Sequence, residues 1–194
     1  MEYLIDNNLT DKNTTHSYLK HYQSYFQHLQ YDNINILEIG IAGGGSIKLW
    51  SDYFINGIVY AIDIIEPPFF LKNYNSDKIK LYKDDAYSTN FIKNEFTDKG
   101  IKFDIIIDDG PHTKESYIFV AKHYTNLLTD NGILVIEDVP LAIRGNNNTG
   151  PSLEKNWFSD IKFSFPVHLQ QKVELIDLRN EINRFDNALI VLKK

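Results

Sequence analysis

The chain has 194 residues, 20 basic against 26 acidic side chains, a formal charge of −6 and no cysteine. A hydrophobic share of 43% with 13% aromatics is a globular composition, and a chain of this size buries roughly 70% of its unfolded surface. The missing cysteine excludes a disulfide scaffold, a thiolate zinc site and a cysteine nucleophile, and the acidic balance argues against a general nucleic-acid binder.

Read in chain order, the polar stretch Asn7 to Thr15 is expected to be an unstructured lead-in. Tyr18, Tyr22 and Phe26, with Leu19 and Leu29, then mark an amphipathic helix from Thr15 to Gln30. The apolar runs at Ile34 to Ile39 and Ile58 to Asp63 read as buried strands around a helix that starts near Ser46. Ile79 to Tyr82 is a third strand, Thr89 to Phe96 a short helix, and Phe103 to Ile107 a fourth strand. A helix over Lys114 to Leu128 and a turn at Asp130-Asn131-Gly132 lead into a fifth strand, Ile133 to Ile136. Arg144 to Pro151 is a low-complexity loop placed to cover an acceptor, and a helix is expected from Leu153 to Ile161. Val173 to Leu178 and Ala188 to Leu192 follow each other without a helix between them and so should pair antiparallel. Alternating strands and helices predict an α/β doubly wound, mostly parallel sheet with right-handed crossovers, in a single domain over 1–194. The first residues lack a basic stretch before an apolar run, and no segment reaches the roughly 18 apolar residues of a membrane span, so a cytoplasmic protein without a membrane partner is expected.

The first strand ends in Glu38-Ile39-Gly40-Ile41-Ala42-Gly43-Gly44-Gly45. Glycine there lets the backbone turn sharply and approach a ligand, with helix-start N–H groups facing it. Gly40, Ala42 and Gly45 approximate the dinucleotide G-x-G-x-x-G pattern, whereas Glu38, Gly40 and Gly44 fit the E-x-G-x-x-x-G turn of S-adenosylmethionine (SAM) enzymes. A turn that serves only strand–helix packing has the same letters. Asp63, about twenty residues on, stands where an acid accepts the ribose hydroxyls. At the end of the third strand, Asp85 could accept from an adenine amine and Ala86 could donate its backbone N–H. A solvated acidic turn is the plainer reading of those two residues.

Asp108-Asp109-Gly110-Pro111-His112 and Glu137-Asp138 follow the fourth and fifth strands, at the edge where open parallel sheets bind ligands. Neighbouring strands lie about 4.8 Å apart, so the acidic pairs can converge, and a bound cation would relieve their repulsion. Carboxylates without thiolate favour Mg²⁺ or Mn²⁺, which makes Asp109, Glu137 and Asp138 the expected metal ligands. His112 is placed to take a proton from a hydroxyl held there.

Together these motifs resemble the metal-dependent sugar O-methyltransferases of class I, the group of the mycinamicin and macrocin O-methyltransferases. The resemblance runs from Thr10-Asp11-Lys12, His16 and Tyr18 through ILEIGIAGGGSIKLW and AIDI to DIIIDDGPH, VIED and NALIVLKK, and DDGPH with VIED is its specific part. It implies a Rossmann-like class I fold of seven strands, with the last inserted antiparallel. It also implies SAM bound around Glu38, Gly40, Ala42, Gly44, Asp63, Asp85, Ala86 and Asp108, and Mg²⁺ on Asp109, Glu137 and Asp138. In the same family pattern His112 is the general base, and residues 1–30 form a helical cap that folds over the cofactor, through His16 or Tyr18. Pro111 departs from the family's usual serine, and the chain is short for the group.

The expected acceptor is a sugar hydroxyl, free, nucleotide-linked or on a glycan, with Arg144 and Lys155 available to a nucleotide's phosphate. Homo-oligomerisation stays open. A catechol-type O-methyltransferase, an NAD(P)-dependent reductase and a non-catalytic nucleoside-binding module are the competing readings. The paired acidic strand ends count against the reductase.

Overall fold

The computed structural model describes residues 1–141 and 157–194. The expected loop at Arg144 to Pro151, Lys155 and the first residues of the helix expected from Leu153 lie outside them. The described chain builds β1 (Asn35–Ile39), β2 (Ile58–Asp63), β3 (Ile79–Lys83), β4 (Phe103–Asp108), β5 (Leu128–Ile136), β6 (Val173–Asp177) and β7 (Ala188–Lys193). Its helices are α1 (Leu19–Phe26), α2 (Gly45–Tyr53), α3 (Thr89–Ile92), α4 (Lys114–His123) and α5 (Trp157–Ser164). All seven strands form one sheet in the order β3-β2-β1-β4-β5-β7-β6. The first five pair in parallel, and β7 is antiparallel to both β5 and β6. This is the Rossmann-like class I methyltransferase arrangement, as expected.

The period of two along each strand divides the core into two layers. Leu37, Ile39, Ile106, Leu134 and Ile136 pack toward α3, α4 and α5. Ile36, Ile105, Ile107, Ile133 and Val135 pack on the opposite side, with α1 and α2. Both faces of the central strands are therefore apolar, and polar side chains are left to the strand ends. The order of the strands reverses on either side of β1, and ligands of such sheets bind at the carboxyl ends there.

Several boundaries differ from the sequence expectation. The first helix covers only Leu19–Phe26 and continues as a 3₁₀ turn, because the chain before it is bent so that Tyr18 N–H reaches Lys12 C=O at 3.1 Å. The polar lead-in is consequently not a loose tail: Lys12 is 1% exposed. α4 stops at His123, and Leu128 already pairs with Phe103. The register then jumps to Ile105 opposite Ile133, so the expected turn at Asp130–Gly132 is an irregularity inside β5. α3 ends at Ile92 and widens into a π-helical turn over Lys93–Thr97. Among the described residues no helix is long and apolar enough to cross a membrane.

Candidate active site

The glycine turn and the acidic strand ends are one structure. Gly40 has φ +93°, and a Cβ on it would fall inside contact distance of the Asp109 carbonyl, with the carbonyl carbon only 2.8 Å away. Asp109 N–H in turn donates to Ile39 C=O at 2.8 Å, and Gly40 N–H to Ile62 C=O at 2.9 Å. Only a residue without a side chain lets β1 turn this close to the end of β4. Gly44, at φ +79°, closes the turn and starts α2.

On the turn's exposed side, Ala42 takes a left-handed φ of +43°. Asp63 Oδ2 accepts from the N–H groups of Ile41 (2.8 Å) and Ala42 (3.3 Å), and Oδ1 accepts from Ile65 N–H at 3.1 Å. Asp63 thus braces the turn and still has lone pairs for a ribose hydroxyl. Asp85 is exposed and holds Tyr87 N–H at 2.8 Å, while Ala86 is buried and its C=O accepts from Tyr124. Gly40, Asp63 and Asp85 follow the carboxyl ends of β1, β2 and β3 and so lie along one edge of the sheet.

At the ends of β4 and β5 two residues also carry left-handed backbone, His112 at φ +53° and Asp138 at φ +52°. Such conformations are uncommon outside glycine and cluster where function holds them in place. His112 Nε2 stands 3.8 Å from Asp109 Oδ1 and 3.6 Å from Asp138 Oδ2. All three side chains are partly exposed, and one ligand atom from each lies within 4.8 Å of the others. Two hard carboxylates fit a divalent cation that keeps water or substrate, with the imidazole beside them.

Glu137 is not in that group. It is 1% exposed, and Lys12 Nζ donates to both its oxygens at 2.7 Å and to Asp109 Oδ2 at 2.7 Å. Tyr22 OH also donates to Glu137, and Glu38 Oε1 lies 3.4 Å from the same ammonium. Burial would lower the Lys12 pKa, but Asp109, Glu137 and Glu38 outweigh it and hold the ammonium well above its ordinary value. Within the expected trio Asp109 and Asp138 are partly exposed and Glu137 is buried beside the ammonium, with one oxygen of Glu137 still within 4.8 Å of one of Asp109.

Glu38, His16 and Tyr18, among the expected cofactor residues, are buried and make contacts within the protein. Glu38 is fully buried and accepts from Trp50 Nε1–H, so it braces α2 against β1. His16 and Tyr18 stack on each other and meet Asp138, the tyrosine hydroxyl donating to Oδ1 at 2.7 Å and His16 Nδ1 lying 3.5 Å away. They meet the acidic end of the site because the bent segment before α1 carries them to Asp138. The N-terminal segment does reach the glycine turn, but through Leu9, whose backbone lies 2.8 Å from an added Cβ at Gly43.

Asp108 is fully buried, accepts from Tyr87 OH at 2.5 Å, and is pushed up to about 6 by burial, against the pull of that hydrogen bond. Burial likewise pushes Asp138 above the usual carboxylate range, with His16 and His112 opposing. Tyr117 OH donates to the Asp138 C=O at 2.9 Å and fixes the left-handed residue from below.

Sequence reasoning assigned no role to Lys12, Tyr22, Tyr87 or Tyr117. The available signal was the choice of tyrosine over phenylalanine on apolar faces, since a buried hydroxyl needs a partner. Lys12 stood out only as part of Thr10-Asp11-Lys12, where the family resemblance begins.

No family model matches the chain. A "8-demethyl-8-(2-methoxy-alpha-L-rhamnosyl)-tetracenomycin-C 3'-O-methyltransferase" of Streptomyces olivaceus is 29% identical over 126 residues, 61% of this chain and 31% of that protein. The "Mycinamicin VI 2''-O-methyltransferase" of Micromonospora griseorubida is 27% identical over 135 residues, 64% of this chain and 32% of the relative. The chain thus spans about a third of the length of the curated relatives it matches. Among solved structures, the MycE methyltransferase of the mycinamycin pathway, in complex with Mg, SAH and mycinamycin VI, superposes with a TM-score of 0.68. That match is 20% identical and covers 93% of this chain and 50% of the other. The resemblance carried by DDGPH and VIED is thus met in the relatives' names, and the chain's fold is that of the class I methyltransferases.

Proposed function

We propose that the chain is a SAM-dependent O-methyltransferase that methylates a sugar hydroxyl of a small molecule, with Mg²⁺ or Mn²⁺ as its divalent ion. The observation that carries this reading is His112, left-handed and half-exposed, between Asp109 and Asp138 and one backbone contact from the glycine turn. The relatives' names supply the acceptor class.

The turn at Gly40–Gly44 admits the nucleoside, Asp63 accepts from its ribose, and Asp85 with the Ala86 N–H meets the adenine. SAM supplies an already activated methyl group, so the protein's task is positioning. Asp109 and Asp138 would hold the ion, which supplies positive charge that makes a nearby hydroxyl more acidic. His112 Nε2, facing the point between the two carboxylates, takes the hydroxyl proton. Tyr18 and Tyr117 hold Asp138 in its strained backbone, and Tyr87 holds the end of β4 through Asp108. Residues 1–30 complete one wall of this single catalytic unit.

A thermal-shift comparison of S-adenosylhomocysteine with NADH tests the cofactor. Only the cognate ligand, at about 100 times its Kd, should add roughly 2.7 kcal/mol of apparent stability. Methyl transfer from labelled SAM to rhamnosylated acceptors, abolished by EDTA, tests the reaction. Stabilisation by NADH alone, or transfer indifferent to EDTA, would overturn the reading.

A further inference from the structure

Tyr87 joins two loops of the sheet edge. Its N–H donates to Asp85 Oδ1 at 2.8 Å, in the loop after β3, and its hydroxyl donates to Asp108 Oδ1 at 2.5 Å, at the end of β4. The ring stands edge-on to Phe119 of α4, with centroids 5.8 Å apart, and the preceding Ala86 C=O accepts from Tyr124 OH at 2.6 Å. Asp108 is fully buried, and among the described residues Tyr87 is its one side-chain hydrogen-bond partner. The same hydroxyl accounts for a glycine. Gly110 has no left-handed φ, so its backbone does not itself demand glycine. A Cβ there would overlap the Tyr87 hydroxyl oxygen, with the tyrosine Cζ at 3.2 Å and Asp108 Oδ1 at 3.1 Å. Gly110 lies between Asp109 and His112, so the hydroxyl is seated against the loop that carries both.

We propose that Tyr87 is a positioning residue that couples the cofactor to the ion. Its hydroxyl, seated on Gly110 and Asp108, holds the loop from Asp109 to His112, and its N–H ties that loop to Asp85. This rests on the proposed function, with the adenine at Asp85 and the divalent ion at the acidic ends of β4 and β5. A nucleoside that orders the loop from Asp85 to Tyr87 also orders the loop that offers Asp109 to the ion. Each ligand then finds part of its ordering already done by the other. Linkage makes the effect reciprocal.

The test is Mn²⁺ affinity, read from the electron paramagnetic resonance of free Mn²⁺, without and with saturating S-adenosylhomocysteine, so that no acceptor is needed. In the wild type S-adenosylhomocysteine should tighten Mn²⁺ binding by about 5-fold or more, and Tyr87→Phe, which keeps the ring, should bring that factor to about one. Gly110→Ala, which forces the hydroxyl off its seat, should do the same with Tyr87 still present. A hydroxyl that served stability alone would leave the factor unchanged. Full coupling in either variant overturns the proposal, as does a wild-type Mn²⁺ affinity indifferent to S-adenosylhomocysteine. Urea unfolding tests the contact by itself. Gly110→Ala should destabilise the wild type more than it destabilises Tyr87→Phe, where the clashing oxygen is gone, and equal losses in the two backgrounds also overturn the proposal. Wild-type protein that binds neither Mn²⁺ nor S-adenosylhomocysteine would overturn the proposed function and the coupling with it. Independent binding of both would leave that function standing and remove the coupling alone.

Discussion

Gly40→Ala perturbs the one contact that joins the glycine turn to the acidic edge. At φ +93° an alanine pays for a left-handed backbone, about 1–2 kcal/mol. Its Cβ would also overlap the Asp109 carbonyl, which is backbone and cannot rotate away. Forcing such a group aside costs about 1–3 kcal/mol more, for a total of about 2–5 kcal/mol. That is a large share of the roughly 5–15 kcal/mol of an ordinary domain. Gly100 provides the control, with φ +67° and nothing within 4 Å of an added Cβ. Gly100→Ala should therefore lose only the backbone component, about 1–2 kcal/mol. Urea unfolding of both variants measures the difference, which isolates the clash. Equal losses from the two substitutions would refute the close approach of β1 and β4 on which the site is built.

Other consequences are more local. Tyr87→Phe removes the hydroxyl that holds fully buried Asp108 and should cost about 1.5–3 kcal/mol in the same unfolding assay, as for a hydrogen bond to a charged group. Trp50→Phe leaves a Glu38 oxygen without its donor, and a loss of about 1–3 kcal/mol is expected; unchanged stability would mean that Glu38 has another partner. His112→Ala should reduce methyl transfer by about 10²- to 10⁴-fold while Mn²⁺ still binds. Loss of Mn²⁺ with that substitution would make the histidine a ligand and not the base. Glu137→Gln should weaken Mn²⁺ binding less than Asp138→Asn, since Glu137 is held by Lys12 and Tyr22.

The parts of the molecule that depend on local pattern were legible in the sequence. Apolar runs such as Ile58 to Asp63 match β2 residue for residue, and the missing helix between the last two strands correctly implied an antiparallel pair. Strand-end logic also brought Asp109, His112 and Asp138 to one point, because strand order and length fix where those residues emerge. Lys12, His16 and Tyr18 could not be placed that way. Their positions are set by long-range charge and hydroxyl contacts to residues more than 90 positions away, which carry no periodic signature. The same contacts explain why Glu137 and Glu38 are buried: a carboxylate near a strand end faces solvent by default, and a buried lysine beside it reverses that preference. The irregularity at Asp130–Gly132 was hidden because a turn motif and a bulge in a strand use the same residues.

A crystal structure with S-adenosylhomocysteine and Mn²⁺, the ion located by anomalous scattering, tests whether one edge of the sheet holds both a nucleoside on the glycine turn and a divalent ion on Asp109 and Asp138. The adenosine should lie along Gly40–Gly44 with its ribose on Asp63, and a manganese peak should be bound by Asp109 and Asp138 with His112 facing the open side. A ligand absent from the turn, or manganese bound away from both aspartates, would contradict that arrangement.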